Sequence, residues 1–323
     1  MKQYHPPDPM IYPRFEGIRT FMRLPHITNL EGVDFVIVGT PFDTGCPYRV
    51  GARFGPESIR SSSMLLRPYN AELGVAIFEI CSGVDYGDLP VTPGYLPESH
   101  KQIEIGAAEI YQSEATPIFL GGDHSVTLPE LRAAVARHGP LALVHFDSHS
   151  DLWQGYFGGK DMNGTPFRRA VEEGLLDINR SIQVGLRGSV YEKGDVEISR
   201  DLGFEVITAV ELHEIGMKPA IKAIRERVGV GKAFLTFDID FVDPAYAPGT
   251  GTPEVGGFTS AQCLQLLVGL AGLNFVGYDL VEVSPPYDSA EITSLLAASL
   301  VYQFISLEAY KRKEYSGRHL SKS

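Results

Sequence analysis

Seven short runs of apolar and β-branched residues recur along this chain, and segments with helical periodicity separate several of them. The apolar runs span residues 34–42, 115–122, 140–147, 181–188, 204–211, 232–240 and 274–283. They lack strict alternation of apolar and polar residues, as expected of strands that are covered on both faces. The helical segments are residues 98–114, 128–139, 165–176, 218–229 and 260–273. This order predicts an α/β three-layer fold, in which a mostly parallel sheet carries helices on both faces.

No linker or low-complexity stretch interrupts this rhythm between about residue 33 and residue 310. We therefore expect a single domain over residues 1–323, with residues 1–32 as an N-terminal arm that packs on the domain or on a neighbouring subunit. The polar, proline-rich start is unlike a secretory signal. No apolar run approaches the ~18 residues needed to span a membrane.

The formal net charge of −12 argues against nucleic acid and anionic membranes as partners. It is compatible with a small cationic substrate, although a solvated acidic surface gives the same balance. The three cysteines, Cys46, Cys81 and Cys263, are far apart and odd in number. They predict neither a disulfide framework nor a thiolate zinc site, so we expect a cytoplasmic protein.

Acidic and histidine residues follow four of the predicted strands at the point where each strand ends. The segments are GGDHS (121–125), HFDSHSD (145–151), DIDFVD (238–243) and VEVSPPYD (281–288). Ligands of an open parallel sheet bind beyond the carboxyl ends of its strands. We therefore expect the four segments to converge on one edge.

The residue types in these segments indicate a metal centre. The candidate ligands are His124, Asp147, His149, Asp151, Asp238 and Asp240. A spacing of two residues points neighbouring ligands to one side of an extended backbone. Four carboxylates in one small volume repel one another unless cations compensate them. Oxygen and nitrogen donors without thiolate suit two Mn²⁺ ions, with Zn²⁺, Ni²⁺ or Co²⁺ as alternatives, and such a pair can activate a shared water.

Each segment alone also has a structural explanation. GGDHS can form a strand-to-helix turn in which Asp123 or Ser125 caps the helix. An isolated DxD more often caps a loop than binds a metal. The three alternating ligands of DSHSD, and the common position of all segments at strand ends, favour the metal centre.

GGDHS, DSHSD and DIDFVDPAYAPGTGTPEVGG resemble the three signature segments of the ureohydrolases, the arginase/agmatinase family. Residues 39–60 and 277–293 extend the resemblance over nearly the whole chain, which looks most like the agmatinase and guanidinobutyrase branch. The resemblance implies a three-layer α/β/α domain that assembles as trimers or hexamers. It places one Mn²⁺ on His124, Asp147, Asp151 and Asp238, and a second on His149, Asp147, Asp238 and Asp240.

The implied reaction is hydrolysis of a guanidino group to urea and an amine, by attack of a hydroxide that bridges the two metals. By the same resemblance, Asp151 holds the hydroxide and passes its proton to the leaving nitrogen. Glu282 matches the glutamate that pairs with the guanidinium. Considered alone, Glu282 is better explained by a salt bridge at a strand end.

Two positions depart from the family pattern. Ser148 replaces an alanine, a small change that we expect to leave the ligands undisturbed. Asn163 replaces a histidine thought to bind substrate or relay protons, and an amide cannot titrate near neutral pH. Three interpretations follow: altered substrate selectivity, a subunit that binds metal but turns over poorly, or a deliberate substitution. The intact ligand set favours the first.

Residues around the predicted site give weaker signals. Trp153, Tyr156 and Phe157 can wall the pocket or stack on a cation, although core packing of a loop explains them equally well. Arg168 and Arg169 could meet a substrate carboxylate, but on a helix we expect surface or subunit contacts. The loop with Tyr48 and Arg49 could rim the pocket, and His145 is expected to be a packed strand histidine.

The leading hypothesis is a manganese-dependent amidinohydrolase acting on a linear guanidino compound such as agmatine, guanidinobutyrate or guanidinopropionate. A first alternative is a hydrolase of guanidine or a small N-alkylguanidine, with Ni²⁺ as its metal. A second is a non-catalytic metal-binding subunit that partners an active paralogue in a hetero-oligomer. In the leading case we expect a homo-oligomer and a small cationic substrate.

Overall fold

A computed structural model describes residues 3–192, 194–195 and 197–320 of the chain. Eight strands within these ranges form one sheet. They are β1 (Phe35–Thr40), β4 (Gly83–Asp88), β5 (Thr116–Gly121), β6 (Ala142–Phe146), β7 (Ile182–Val184), β8 (Glu205–Ile207), β9 (Lys232–Asp238) and β10 (Asn274–Val281). A separate antiparallel pair consists of β2 (Tyr69–Asn70) and β3 (Val75–Ala76).

The strand order in the large sheet is β4-β1-β5-β10-β9-β6-β7-β8. Every neighbouring pair in this sheet is parallel. The seven predicted strands are all present. The edge strand β4 was not predicted, because Gly83, Asp85, Gly87 and Asp88 disfavour the strand conformation and weaken its sequence signal.

Helices cover both faces of the sheet. Within the described residues they are α1 (Gly55–Ser62), α2 (Ile77–Ile80), α3 (Leu96–Ile110), α4 (Thr127–His138), α5 (Pro166–Glu172), α6 (Glu197–Asp201), α7 (Ala209–Ile215), α8 (Met217–Val228), α9 (Ser260–Gly269) and α10 (Ile292–Leu320). Local signals set their ends. Thr259 and Gln262 form a capping box at the start of α9, and Gly139, with φ of 75°, ends α4.

Successive residues of β1 show how the sheet separates two cores. Ile37 packs in the core that includes Ile224 of α8 and Phe304 of α10. Val36 and Val38 point to the opposite core, which contains residues of α3, α4 and α5. The period of two along a strand produces this division, and it confirms the predicted three-layer α/β/α architecture.

The N-terminal segment, residues 3–32, is held against β4. The Tyr4 carbonyl accepts a hydrogen bond from the Gly83 N–H at 3.0 Å, and the Phe21 N–H donates to Asp85 Oδ2 at 2.8 Å. Large apolar side chains of the same segment remain in contact with solvent, such as Met10, which is 91% exposed. Contact of this segment with a neighbouring subunit stays a prediction.

The C-terminal helix corrects one expectation. Residues Ile292–Glu314 are long and apolar enough to cross a membrane, by length and composition alone. In the fold, however, 78% of the apolar window of this helix is buried inside the domain. A core helix has this same composition, so α10 is weak support for a membrane span.

Candidate metal centre and guanidinium site

The predicted site segments all follow strands in the middle of the sheet. The four strands β5, β10, β9 and β6 are consecutive neighbours. Their carboxyl ends are followed by His124, Glu282, Asp240 and Asp147 respectively, and Asp238 is the last residue of β9. The strand order therefore brings together residues that lie up to about half the chain apart.

His124 lies at the centre of the first group of donors. Its Nδ1 is 2.9 Å from Asp151 Oδ2, 3.1 Å from Asp147 Oδ2 and 3.3 Å from Asp238 Oδ2. This nitrogen is buried and makes no hydrogen bond within the described part of the chain. Its Nε2 lies 2.9 Å from Thr236 Oγ1, which orients the ring. An imidazole nitrogen without a hydrogen bond and three carboxylate oxygens around it offer a set of donors for a cation.

His149 and Asp240 form a second group beside the first. His149 Nδ1 lies 3.0 Å from Asp240 Oδ2 and 3.5 Å from Asp147 Oδ1. Asp147 therefore directs one oxygen to each group, as expected of a bridging ligand. Asp238 directs Oδ2 to the first group, while its Oδ1 accepts the Asp240 N–H at 2.8 Å. The structure thus brings all six predicted ligands together, with Asp238 placed mainly at the first group.

The electrostatics of these groups fit a pair of divalent cations. Burial raises the pKa of Asp238, and the negative charges of Asp240 and Asp147 raise it further. Burial and the charge of Asp147 likewise raise the pKa of Asp151. Two divalent cations would relieve this repulsion, and the donor set contains only carboxylate oxygen and imidazole nitrogen. Such donors suit Mn²⁺ and related divalent metals.

His145 does more than fill the core, which the sequence did not predict. Its Nε2 lies 2.8 Å from Asp147 Oδ2, and its ring packs on Phe167 with centroids 4.3 Å apart. Its position also lets it join His124 and Asp147 as a possible metal-binding trio. We place it outside the ligand set, because both of its ring nitrogens already have hydrogen-bond partners, Asp147 and Gln183.

Glu282 lies beside the metal centre at the end of β10. Its Oε1 accepts hydrogen bonds from the His124 N–H at 2.9 Å and from Asn163 Nδ2 at 3.3 Å. Burial raises the pKa of Glu282 to about 8, Asp123 adds to the effect, and the His124 N–H opposes it. Glu282 also adopts a left-handed backbone with φ of 63°, and Asp151 has φ of 53°. Such strain at non-glycine residues is concentrated at functional sites.

Gly251 lies next to the other oxygen of Glu282. A Cβ built on Gly251 would lie 3.6 Å from both Glu282 Oε2 and Cys46 Sγ, and 3.1 Å from the Arg49 carbonyl oxygen. The glycine therefore keeps a side chain from covering this acceptor oxygen. A planar cation with several N–H donors matches such a carboxylate.

Asn163 is held in one orientation. The Tyr156 hydroxyl accepts the Gly164 N–H at 2.9 Å and donates to Asn163 Oδ1. The amide nitrogen of Asn163 is then directed to Glu282. Burial raises the pKa of Tyr156 above its usual value, so this phenol remains a donor. Asn163 thus fixes the position of Glu282, and an amide cannot carry a proton between groups.

The remaining predicted pocket residues differ in their surroundings. Trp153 packs closely over Gly164 and lies edge-on to Tyr156, with ring centroids 6.2 Å apart. Phe157 is 85% exposed. Trp153 and Tyr156 therefore form a wall next to Asn163, whereas Phe157 lies in solvent contact.

The predicted arginines near the site also differ in their contacts. Arg168 and Arg169 both pair with Glu172 on α5, which agrees with a structural role. The Arg49 guanidinium lies 5.1 Å from the Tyr287 ring and 5.8 Å from the Tyr48 ring. This loop therefore presents a cation held between two aromatic rings.

GGDHS serves as both a turn and a ligand segment. Asp123 Oδ1 accepts the Ser125 N–H at 3.0 Å, which is the predicted cap, and Asp123 Oδ2 accepts the Gly45 N–H at 2.7 Å. The Gly45 carbonyl accepts the Asn163 N–H at 3.2 Å. Asp123 thereby ties the first loop to the Asn163 segment, a role that its place beside His124 does not reveal.

Comparison with known proteins gives a consistent result. Residues 33–306 match the model of the Arginase family. The chain is 47% identical over 296 residues to guanidinobutyrase of Pseudomonas aeruginosa, covering 91% of this chain and 93% of that protein. It is 45% identical to mitochondrial agmatinase of Gallus gallus, covering 93% and 88%. The structure of proclavaminate amidinohydrolase from Streptomyces clavuligerus superposes with a TM-score of 0.90 at 41% identity, covering 93% of this chain and 100% of that chain.

Proposed function

Because this chain belongs to the arginase family, we propose that it is a metal-dependent amidinohydrolase that hydrolyses a linear guanidino compound to urea and an amine. The candidate substrates are of the guanidinobutyrate, agmatine and guanidinopropionate type. One observation carries the proposal: three carboxylate oxygens surround the buried His124 Nδ1, and the Glu282 carboxylate accepts the N–H of the same histidine.

When bound, a pair of divalent cations supplies an activated water at neutral pH and stabilises developing negative charge. The donor set supports Mn²⁺ as the native pair, with Ni²⁺ as the alternative. His124, Asp147, Asp151 and Asp238 would hold one cation. His149, Asp147, Asp238 and Asp240 would hold the second.

The remaining steps are assigned to side chains of the chain itself. Glu282 Oε2 accepts N–H groups of the substrate guanidinium in the space beside Gly251. Asn163 holds the other oxygen of the same carboxylate, so the guanidinium is oriented towards the metal centre. Asn163 cannot carry a proton, and we therefore assign proton transfer to the leaving nitrogen to Asp151 alone.

We further propose a homo-oligomer. The support is the N-terminal segment, where Met10, Phe15 and Ile18 are each at least 80% exposed. Large apolar side chains exposed close together in the sequence are expected where a segment packs on a partner. Size-exclusion chromatography with light scattering measures the assembly directly, and a monomer at micromolar concentration would contradict the proposal.

The test is urea release by protein loaded with Mn²⁺ or with Ni²⁺. The substrates are agmatine, 4-guanidinobutyrate, 3-guanidinopropionate, arginine, guanidine and N-methylguanidine. We expect urea from at least one of the three longer non-arginine compounds, and its loss in Glu282→Gln. Urea from guanidine or its methyl derivative alone would replace the proposed substrate class. Two bound cations per chain without urea from any compound would overturn the proposal in favour of a non-catalytic subunit.

A further inference from the structure

Two buried side chains without an assigned role connect to the metal centre. Gln183 on β7 and His145 on β6 are paired across neighbouring strands, and both are fully buried. Gln183 Nε2 lies 2.7 Å from the Ser150 carbonyl oxygen and 2.9 Å from His145 Nδ1. His145 Nε2 in turn lies 2.8 Å from Asp147 Oδ2. The four groups form one continuous chain of hydrogen bonds.

The direction of each hydrogen bond follows from its ends. The Ser150 carbonyl can only accept, so the atom of Gln183 facing it must be the amide nitrogen. The same nitrogen donates to His145 Nδ1, which must therefore be unprotonated. The ring proton of His145 then lies on Nε2 and is donated to the Asp147 carboxylate.

Asp147 is the carboxylate whose orientation matters most to both groups of ligands. Its Oδ2 lies 3.1 Å from His124 Nδ1, and its Oδ1 accepts the His149 N–H at 2.6 Å. The His145 Nε2–H on Oδ2 and the His149 N–H on Oδ1 thus fix the plane of the carboxylate. Groups that orient a ligand in this way tune the affinity of a metal site.

We propose that Gln183 is a positioning residue: it selects the Nε2–H tautomer of His145 and thereby fixes Asp147 as the ligand between the two cations. This deepens the proposed function and rests on its dinuclear site. The competing explanation is that Gln183 and His145 only satisfy one another as polar groups in the core. That explanation predicts lower stability on mutation, without an effect on metal affinity.

The first experiment needs neither metal nor substrate. The metal-free protein is labelled with ¹⁵N-histidine, and the His145 signals are assigned by their disappearance in His145→Phe. We expect a pyridine-like Nδ1 and a protonated, pyrrole-like Nε2 in the original protein. A proton on Nδ1 would overturn the proposal, even if Gln183→Leu failed to fold.

The second experiment measures Mn²⁺ affinity by calorimetry in Gln183→Leu. We expect the dissociation constant to rise by roughly 10- to 100-fold, as is typical when a group behind a metal ligand is removed. The matched control is Gln303→Leu, because Gln303 is also buried and loses one hydrogen bond, from Asn70 Nδ2 at 2.9 Å. We expect the control to lose stability but to keep its Mn²⁺ affinity.

Two outcomes of the titration contradict the proposal. A folded Gln183→Leu with unchanged Mn²⁺ affinity would reduce Gln183 to a packing role. A fall from two bound cations to one in His145→Phe, with unchanged Mn²⁺ affinity in Gln183→Leu, would make His145 itself a ligand. Failure of the proposed function is distinguishable, because it would abolish urea release while leaving the His145 tautomer and the Mn²⁺ titration as assigned.

Discussion

Replacing Gly251 with alanine tests whether the space beside Glu282 is the guanidinium site. The added Cβ would lie 3.6 Å from Glu282 Oε2 and 3.1 Å from the Arg49 carbonyl. The second contact is tight but needs only a small shift of the loop, so we expect the variant to fold. A methyl group in that place would keep a guanidinium N–H from reaching Oε2.

The expected magnitude follows from the interaction that is lost. Within the described part of the chain, both hydrogen bonds to Glu282 go to Oε1, which leaves Oε2 for the substrate. A hydrogen bond to a charged group contributes about 1.5–3 kcal/mol. Because about 1.4 kcal/mol corresponds to a factor of ten, kcat/KM should fall roughly 10- to 100-fold in Gly251→Ala.

The assay is the rate of urea release against substrate concentration, with the bound Mn²⁺ per chain as a control for the metal centre. Glu282→Gln weakens the same interaction, so the double variant should be only slightly worse than the poorer single variant. Wild-type kcat/KM in folded Gly251→Ala would refute the location of the site. Fully additive losses in the double variant would show that the two positions act separately.

Three further predictions concern stability and metal. Arg60→Met removes the guanidinium that pairs with the carboxylate of Asp85, which is 0% exposed. The free energy of unfolding should fall by about 3–5 kcal/mol in urea titrations, because the buried carboxylate loses its partner. A loss below about 1 kcal/mol would contradict a buried ion pair. Chelation by EDTA should lower the melting temperature, because the clustered carboxylates lose their cations, and added Mn²⁺ should restore it; an unchanged melting temperature would argue against bound metal. Burial disfavours the ionised form of Asp243, but the N–H groups donating to it outweigh this and hold its pKa below the usual value. A carboxylate whose pKa is lower in the folded than in the unfolded state stabilises the fold at pH above the unfolded pKa, and this stabilisation is lost as the pH falls through the folded pKa. Wild-type protein should therefore lose more stability than Asp243→Asn on acidification. Parallel curves of unfolding free energy against pH for the two proteins would refute this.

The sequence predicts the core of the sheet and the metal ligands for a common physical reason. Buried parallel strands are continuous apolar runs, and ligands placed directly after them must lie at one edge. The strand β4 was not predicted because it has no continuous apolar run, since a strand at the edge of the sheet tolerates glycine and aspartate. The strand order β5-β10-β9-β6 could not be predicted from the sequence either, since no local pattern indicates which strands become neighbours.

The supporting residues of the site are harder to predict than its ligands. Gln183 lies in a predicted strand, residues 181–188, where no motif marks it, and its proposed role comes from pairing with His145 in the sheet. Asn163 stands out in sequence only as a departure from a family pattern. Its actual task, holding Glu282 while Tyr156 holds its amide, requires the folded loop.

The left-handed backbone at Asp151 and Glu282 has a consequence for how this protein can change. An L-residue in that conformation costs roughly 1–2 kcal/mol, which glycine avoids. The two carboxylates assigned to proton transfer and guanidinium binding therefore lie at positions where replacement by glycine would remove the carboxylate and also relieve the backbone strain. Selection for stability alone would tend to remove them, so their presence at these positions agrees with the proposed roles.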